Sequence, residues 1–260
     1  MRRIVCFLFL VVGAYAYAQD GLPGMEGNYG DIRFTPPQTE QPNDFVFARL
    51  IYQGKIPAYI KNWYTDYPSG DANLVKILRR ATNLDIAPEN RAVLLHDDAL
   101  FKYPFIYSAE AGQIVFDDAD ARRMREYLDR GGFWMVDDFW GTYEWDSFAD
   151  VVKKIFPDQE IVDIPLDHSI FHSVYDMHEV MQVPNVAYAY TYNAVTWEQE
   201  GRTPYVRGVF DNNGNMQLLI LFNSDVMDAS EWADDPKYPH KFSAYAYRLF
   251  INAVVYTMTH

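Results

Sequence analysis

Acidic side chains recur just beyond the apolar runs of this chain: Asp66, the pair Asp97-Asp98, the pair Asp137-Asp138, and Asp225. His96 precedes the first pair, and His168 and His172 follow a later run. Carboxylates gathered from successive segments suit oxygen ligation of a hard divalent cation, or the divided roles of general acid and general base. Asp also caps helices and closes turns at such positions, so each is ambiguous alone and the argument for a site rests on the set. Trp63 stands near Asp66, and Trp140 follows Asp137-Asp138. Aromatic faces beside carboxylates suit sugar rings, although a chain with 17% aromatic residues also uses such rings to cover a sheet end. His168 and His172, four apart, would co-ligate a metal on a helix. Pro165 and the β-branched and aromatic surroundings place them in a loop instead, where a histidine reads as a hydrogen-bonded packing residue. The sequence has neither a Gly-x-Ser-x-Gly elbow nor a glycine-rich phosphate loop, so serine nucleophiles, nucleotides and flavins are not expected.

Alternating apolar runs and helical periods must position these residues. Runs at 45–52, 92–95, 104–107, 133–136 and 161–164 read as strands. Between them, Asp71 opens a helix with Leu74, Val75, Leu78 and Ala81 on one face. Residues 117–130 form a helix with Met124, Tyr127 and Leu128 inward and Gly131 as its stop, and Phe148, Val151, Val152, Ile155 and Phe156 mark a third that ends at Pro157. Segments 186–193, 205–210 and 217–222 are strand-like, with Asp211-Asn212-Asn213-Gly214 as a hairpin turn between the last two. Residues 241–259 close the chain as a helix. This alternation predicts an α/β fold: a three-layer domain over 45–260, with a mostly parallel sheet and an antiparallel C-terminal extension. In such sheets ligands bind beyond the carboxyl ends of the strands, which is where the acidic set falls.

The amino terminus reads as an export signal. Arg2 and Arg3 precede an apolar run over 4–12, and Ala16-Tyr17-Ala18 fits a small-x-small cleavage site. The run is too short to cross a bilayer of roughly 30 Å, and Cys6 lies inside it, where it does not serve lipidation. Residues 1–18 are thus expected to be a signal peptide, and the Gly-, Pro-, Asn- and Gln-rich stretch 19–44 a linker or irregular lead-in. Export implies a periplasmic or secreted protein with no membrane insertion after cleavage. Cleavage removes the only cysteine, and with it thiol catalysis, disulfides and thiolate ligands. It also removes two of the 22 basic residues and none of the 36 acidic ones, so the net charge moves from −14 to −16. Such acidity repels nucleic acid and anionic lipid and favours cations or neutral partners.

Several segments together resemble the bacterial domain of unknown function 4159 family. They are Phe45-Val46-Phe47-Ala48-Arg49-Leu50, Trp63-Tyr64-Thr65-Asp66-Tyr67-Pro68, Asp71-Ala72-Asn73-Leu74, Tyr103-Pro104-Phe105-Ile106-Tyr107, Tyr127-Leu128-Asp129-Arg130-Gly131-Gly132-Phe133, Asp137-Asp138, and Asp167-His168-Ser169-Ile170-Phe171-His172-Ser173. The resemblance covers about 44–260 and implies a branch of the class I glutamine amidotransferase-like fold, a flavodoxin-like α/β architecture. In those relatives a Cys activated by a His sits on a sharp strand-to-helix elbow. Here Asp137-Asp138-Phe139-Trp140-Gly141 follow the corresponding strand, so glutaminase chemistry is not expected.

Two function classes follow. One is a non-catalytic binding module whose acidic sheet edge takes a divalent cation, a neutral glycan or a protein partner. The other is a carboxylate- or metal-dependent hydrolase of a glycan or small amide. The candidate ligand-binding residues are Asp66, Asp97, Asp98, Asp137, Asp138, His168, Asp225, Trp63 and Trp140, and the lack of a nucleophile–base motif favours the binding module. Mature protein is expected to begin at or near Gln19 and to contain no cysteine. Intact-mass measurement on exported native protein checks both points, and retention of Met1 would refute them.

Overall fold

The computed structural model describes residues 45–55, 63–190 and 195–260; the expected signal segment and lead-in lie outside the described residues. In chain order the elements are β1 (Ala48–Ile51), α1 (Ser69–Ala81), β2 (Arg91–Leu94), β3 (Phe105–Ser108), α2 (Asp118–Asp129), β4 (Phe133–Val136), α3 (Gly141–Ile155), β5 (Val162–Asp163), α4 (Val186–Ala189), β6 (Tyr205–Phe210), β7 (Met216–Phe222), α5 (Val226–Glu231) and α6 (His240–Thr259). They build one sheet in the order β2-β1-β3-β4-β7-β6-β5. Strands β2, β1, β3, β4 and β7 run parallel, β6 pairs antiparallel with β7, and β5 pairs antiparallel with β6. The fold is therefore α/β with a mostly parallel sheet and an antiparallel C-terminal part, consistent with a flavodoxin-like three-layer arrangement. The chain passes from β1 to β2 on one side and then to β3 on the other, so β1/β3 is the switch point of the sheet.

Side-chain alternation explains the layers. In β4, Phe133 and Met135 join the core shared with α1 and α6, which includes Leu74, Leu78, Leu249 and Phe250. Trp134 faces the opposite layer and meets the Phe148 ring of α3 at 5.6 Å. Local chemistry sets the helix boundaries. Asp117 accepts from the Ala119 and Asp120 N–H groups, and Asp120 accepts in return from the Asp117 N–H, a reciprocal capping box for α2. Behind α2, Gly131 takes φ +91°, and a Cβ on Gly132 would stand 2.3 Å from the Tyr127 ring. The expected turn at 211–214 forms, with Asp211 Oδ1 accepting from the Asn213 and Asn215 N–H groups at 2.8 Å each. The strand expected over 186–193 does not form in its described part: Asn185 caps the short helix α4 there, accepting from the Tyr188 N–H. Among the described residues no helix is long and apolar enough to cross a membrane.

Arg49 in β1 ties these parts together. It is fully buried, donates from Nε to Asp71 Oδ2 (3.1 Å) and from Nη2 to Asp71 Oδ1, and holds the Trp63 and Thr65 carbonyls through Nη1. One guanidinium thus locks β1 to the first turn of α1 and to the loop between them. Replacing one member strands a buried charge, which costs about 3–5 kcal/mol. Asp71→Leu is expected to destabilise by that amount in urea unfolding, and the double variant Arg49→Met/Asp71→Leu by less than the sum of its parts.

Candidate functional site

The parallel strands deliver their carboxyl ends to one edge. Asp137 and Asp138 follow β4 directly, Asp225 follows β7, Asp66 sits in the loop between β1 and α1, and Asp228 and Glu231 lie on α5. The backbone is unusual here: Asp66 (φ 63°), Glu110 (φ 53°), Asp138 (φ 52°) and Asn223 (φ 59°) all take the left-handed conformation. Asp and Asn tolerate it best, because their short polar side chains bond locally. For Glu, the strain is characteristic of functional or over-determined sites.

The acidic side chains differ in what they already hold. Asp137 Oδ1 accepts from the Tyr107 hydroxyl, and its Oδ2 accepts from the Val226 (2.8 Å) and Met227 (3.2 Å) N–H groups that open α5. Asp138 Oδ1 accepts from Trp140 Nε1 at 3.1 Å, while its N–H donates to the Ser224 carbonyl. Asp225 caps α5 by accepting from the Asp228 N–H at 3.0 Å. Asp228 Oδ2 accepts from the Val186 N–H, and Glu231 Oε1 from the Ser69 hydroxyl. Asp66 stands apart, because its Oδ2 is buried and accepts no hydrogen bond among the described residues. Asp66, Asp228 and Glu231 each offer an oxygen lying within 4.8 Å of the other two.

Burial and mutual repulsion raise the proton affinity of the group. Burial first, and the negative charge of Asp138 next, push Asp137 up to about 7 against the donors that favour its anion. Burial pushes Asp228 up to about 8, opposed by the Val186 N–H and reinforced by Asp138 and Glu231. Asp66 is raised by burial and then by Asp228 and Asp138, and Asp225 by burial and then by Asp138, Asp228, Asp66 and Asp137. The nearby cation, Arg49, lowers Asp66 but is already bonded to Asp71. The edge is therefore deficient in positive charge where Asp66, Asp228 and Glu231 come together.

Of the residues singled out from sequence, the structure gathers Asp66, Asp137, Asp138 and Asp225 at this edge. Asp97 instead caps the turn after β2, accepting from the Ala99 N–H at 2.8 Å, and Asp98 pairs with Arg123 of α2 at 2.7 Å with a 97% exposed side chain. His168 caps the 3-10 turn at Ser169–Phe171, accepting from the Ile170 N–H at 3.2 Å. Its ring rests 5.7 Å from the rings of Phe210 and Tyr256, by the start of β7 and away from the acidic edge. Its partner in the four-residue spacing, His172, is held by Asp176 and the Leu166 carbonyl. Trp63 and Trp140 are buried, so neither offers a face to a sugar. Sequence reading missed Asp228 and Glu231. Their signal is the Asp225-x-x-Asp228-x-x-Glu231 spacing, which stacks acids on one side of a helix.

These carboxyls stabilise the fold only while they keep their protons. For Asp137 and Asp228 the contribution is complete below the ordinary carboxyl value of 3.8 and is lost as pH rises through about 7 and about 8. In chelator-treated protein the Tm is expected to fall between pH 5.5 and 9, and Asp228→Asn is expected to flatten the upper part of that fall. Differential scanning calorimetry across this range checks it.

No curated protein matches the chain. A family model does, from residue 46 to residue 258, over all seven strands and nearly all of the described domain. The chain belongs to the DUF4159 family, described as a domain of unknown function.

Proposed function

We propose that the chain is an exported, non-catalytic binding module whose acidic edge holds one divalent cation between Asp66, Asp228 and Glu231. The observation that carries this reading is the buried, donor-free Oδ2 of Asp66 beside two further carboxylates. A buried charged oxygen without a partner is costly, and either a proton or a cation relieves it. Oxygens on one Ca²⁺ coordination sphere, at roughly 2.3–2.6 Å from the ion, lie at most about 5 Å apart, which accommodates the 4.8 Å limit seen here. An all-carboxylate set suits a hard ion of the Ca²⁺ or Mn²⁺ type, with water completing its shell. Asp137 and Asp138 serve the site indirectly: one anchors α5 and the other adds negative charge beside it. Export, to the periplasm or outside the cell, rests on the basic pair, the apolar run and the Ala16-Tyr17-Ala18 cleavage pattern.

One observation favours the second reading, a carboxylate-dependent hydrolase related to the glutamine amidotransferase-like enzymes. Asp138 takes φ 52° at the turn from β4 into α3, the kind of strained strand-to-helix elbow that displays a nucleophile in α/β enzymes. Its Oδ1, however, is occupied by the Trp140 indole.

At pH 7.5, saturating CaCl₂ or MnCl₂ is expected to raise the Tm of the chelator-treated domain; a ligand at 100 times its Kd stabilises by about 2.7 kcal/mol. Asp228→Asn and Glu231→Gln should each remove most of that rise, whereas Asp97→Asn should leave it intact. Cation binding requires the ionised carboxylates, so the effect should grow from pH 5.5 to 8.5. Equal Tm values with and without Ca²⁺, Mn²⁺ and Mg²⁺ at pH 8.5 would overturn the cation site.

A further inference from the structure

A polar cleft of about 330 Å³ lies at the opposite edge of the sheet, where the strands begin. It falls at the lower end of the roughly 300–1,000 Å³ typical of small-molecule sites. The Gly131-Gly132 turn ahead of β4, the β6–β7 hairpin and the last turn of α6 enclose it. A relay of planar polar groups runs along its wall. Gln159 Nε2 donates to the Phe210 carbonyl (2.7 Å), and Gln159 Oε1 accepts from Arg125 Nη1 (3.2 Å). Arg125 Nε reaches both oxygens of Asp129 at 2.8 Å, and Asp129 Oδ1 accepts from Gln217 Nε2 at 3.4 Å. The relay ends at Gln217 Oε1, which is buried and accepts no hydrogen bond among the described residues. Gln217 itself is only 5% exposed and lines the cleft. Buried amide oxygens are nearly always paired, and this one is held at the end of a network of side-chain hydrogen bonds.

We infer that this cleft binds a neutral, hydroxyl-rich ligand, a saccharide unit, with one hydroxyl donating to Gln217 Oε1. The open groups select that chemistry. An anion has no proton to give the Gln217 oxygen, and it would approach Asp129. A cation would meet the Arg125 guanidinium. An apolar ligand would leave the amide oxygen buried and unpaired. A hydroxyl both donates and accepts, so adjacent hydroxyls satisfy Gln217 and Arg125 together. His260, exposed in the cleft and backed by the buried Tyr256 ring at 4.3 Å, supplies the planar wall for the C–H face of a sugar ring. None of these residues belongs to the acidic edge, so the cleft stands or falls independently of the cation site.

Saturation-transfer NMR with glucose, galactose, mannose and N-acetylglucosamine at millimolar concentration tests it on the domain as expressed. At least one sugar is expected to receive saturation from the wild-type protein. Gln217→Met keeps the side-chain length and removes the oxygen. It should weaken that binding about tenfold or more, the scale of one well-made hydrogen bond, with Tm unchanged or higher. Arg125→Ala, on the partly exposed surface of α2, should weaken it as well and decides the matter if the Gln217 variant folds poorly. Asp228→Asn should leave sugar binding untouched. The inference is overturned if none of the four sugars receives saturation, or if binding persists at full strength in both cleft variants.

Discussion

Arg49 is the interaction on which the acidic edge depends. Among the described residues, the buried charged side chains comprise seven carboxylates (Asp71, Glu110, Asp137, Asp138, Glu144, Asp225 and Asp228) and this one guanidinium. Its reach extends well beyond its partner. Besides Asp71, it holds two carbonyls of the loop that carries Asp66, and it lies 4.8 Å from the Tyr107 ring centroid. The Tyr107 hydroxyl donates to Asp137, and Asp137 gathers the first two N–H groups of α5. Each step passes position from the switch point of the sheet to the helix that bears Asp228 and Glu231. Arginine suits this role because its planar fork serves a carboxylate and two carbonyls at once and keeps its charge when buried.

The remaining carboxylates divide by how they are compensated. Asp137 is compensated by three donors and Glu144 by two, the Trp140 N–H and the Gln113 amide. Their positions are accounted for by helix capping and packing; a Cβ on Gly112 would stand 2.4 Å from that of Glu144. Asp66 is compensated by no hydrogen bond at Oδ2, and Asp228 and Glu231 face it. Like charges at 4 Å repel by about 4 kcal/mol at an effective dielectric constant near 20, so this trio is the least settled part of an otherwise well-bonded edge. The same loops carry the left-handed Asp66, Asp138 and Asn223. Electrostatic strain and backbone strain therefore coincide at the same loops.

Most of the architecture was legible because it is set by short-range rules. Period-two and period-3.6 patterns located β1 to β4, α1 to α3 and α6, and the Asp-Asn-Asn-Gly turn located the hairpin. The fold failed to follow the pattern over 186–190, where Asn185 offered the backbone a helical cap that outweighed the β propensity of Val186 and Tyr188. The site was legible only in part. Asp66, Asp137, Asp138 and Asp225 could be placed because strand ends in a parallel sheet converge by geometry. Asp97 and Asp98 end a strand too, but β2 is the edge strand, and there both are engaged by the local turn and by Arg123. His168 was misplaced because the chain turns back after β5, a long-range event no local pattern encodes. Burial of Trp63 and Trp140 likewise depends on tertiary packing against rings far away in sequence.

The two ends of the sheet now present opposite chemistries, and the contrast follows from the fold. At the carboxyl ends, loops and α5 bring a cluster of carboxylates, which accept only when ionised, while the first N–H groups of α5 are taken by Asp137 and Asp225. What such an edge lacks is positive charge. At the strand starts, the relay from Gln159 through Arg125 and Asp129 to Gln217 mixes donors and acceptors on rigid planar groups. What that edge lacks is a single hydrogen-bond donor. A sequence selected for stability alone would replace Asp66 with a donor and Gln217 with an apolar side chain, since each carries a buried oxygen that the protein itself leaves unpaired. Retaining both is unfavourable unless something outside the chain completes them. The missing partners differ in charge, so the proposed cation and the inferred sugar answer different needs at opposite ends of the sheet.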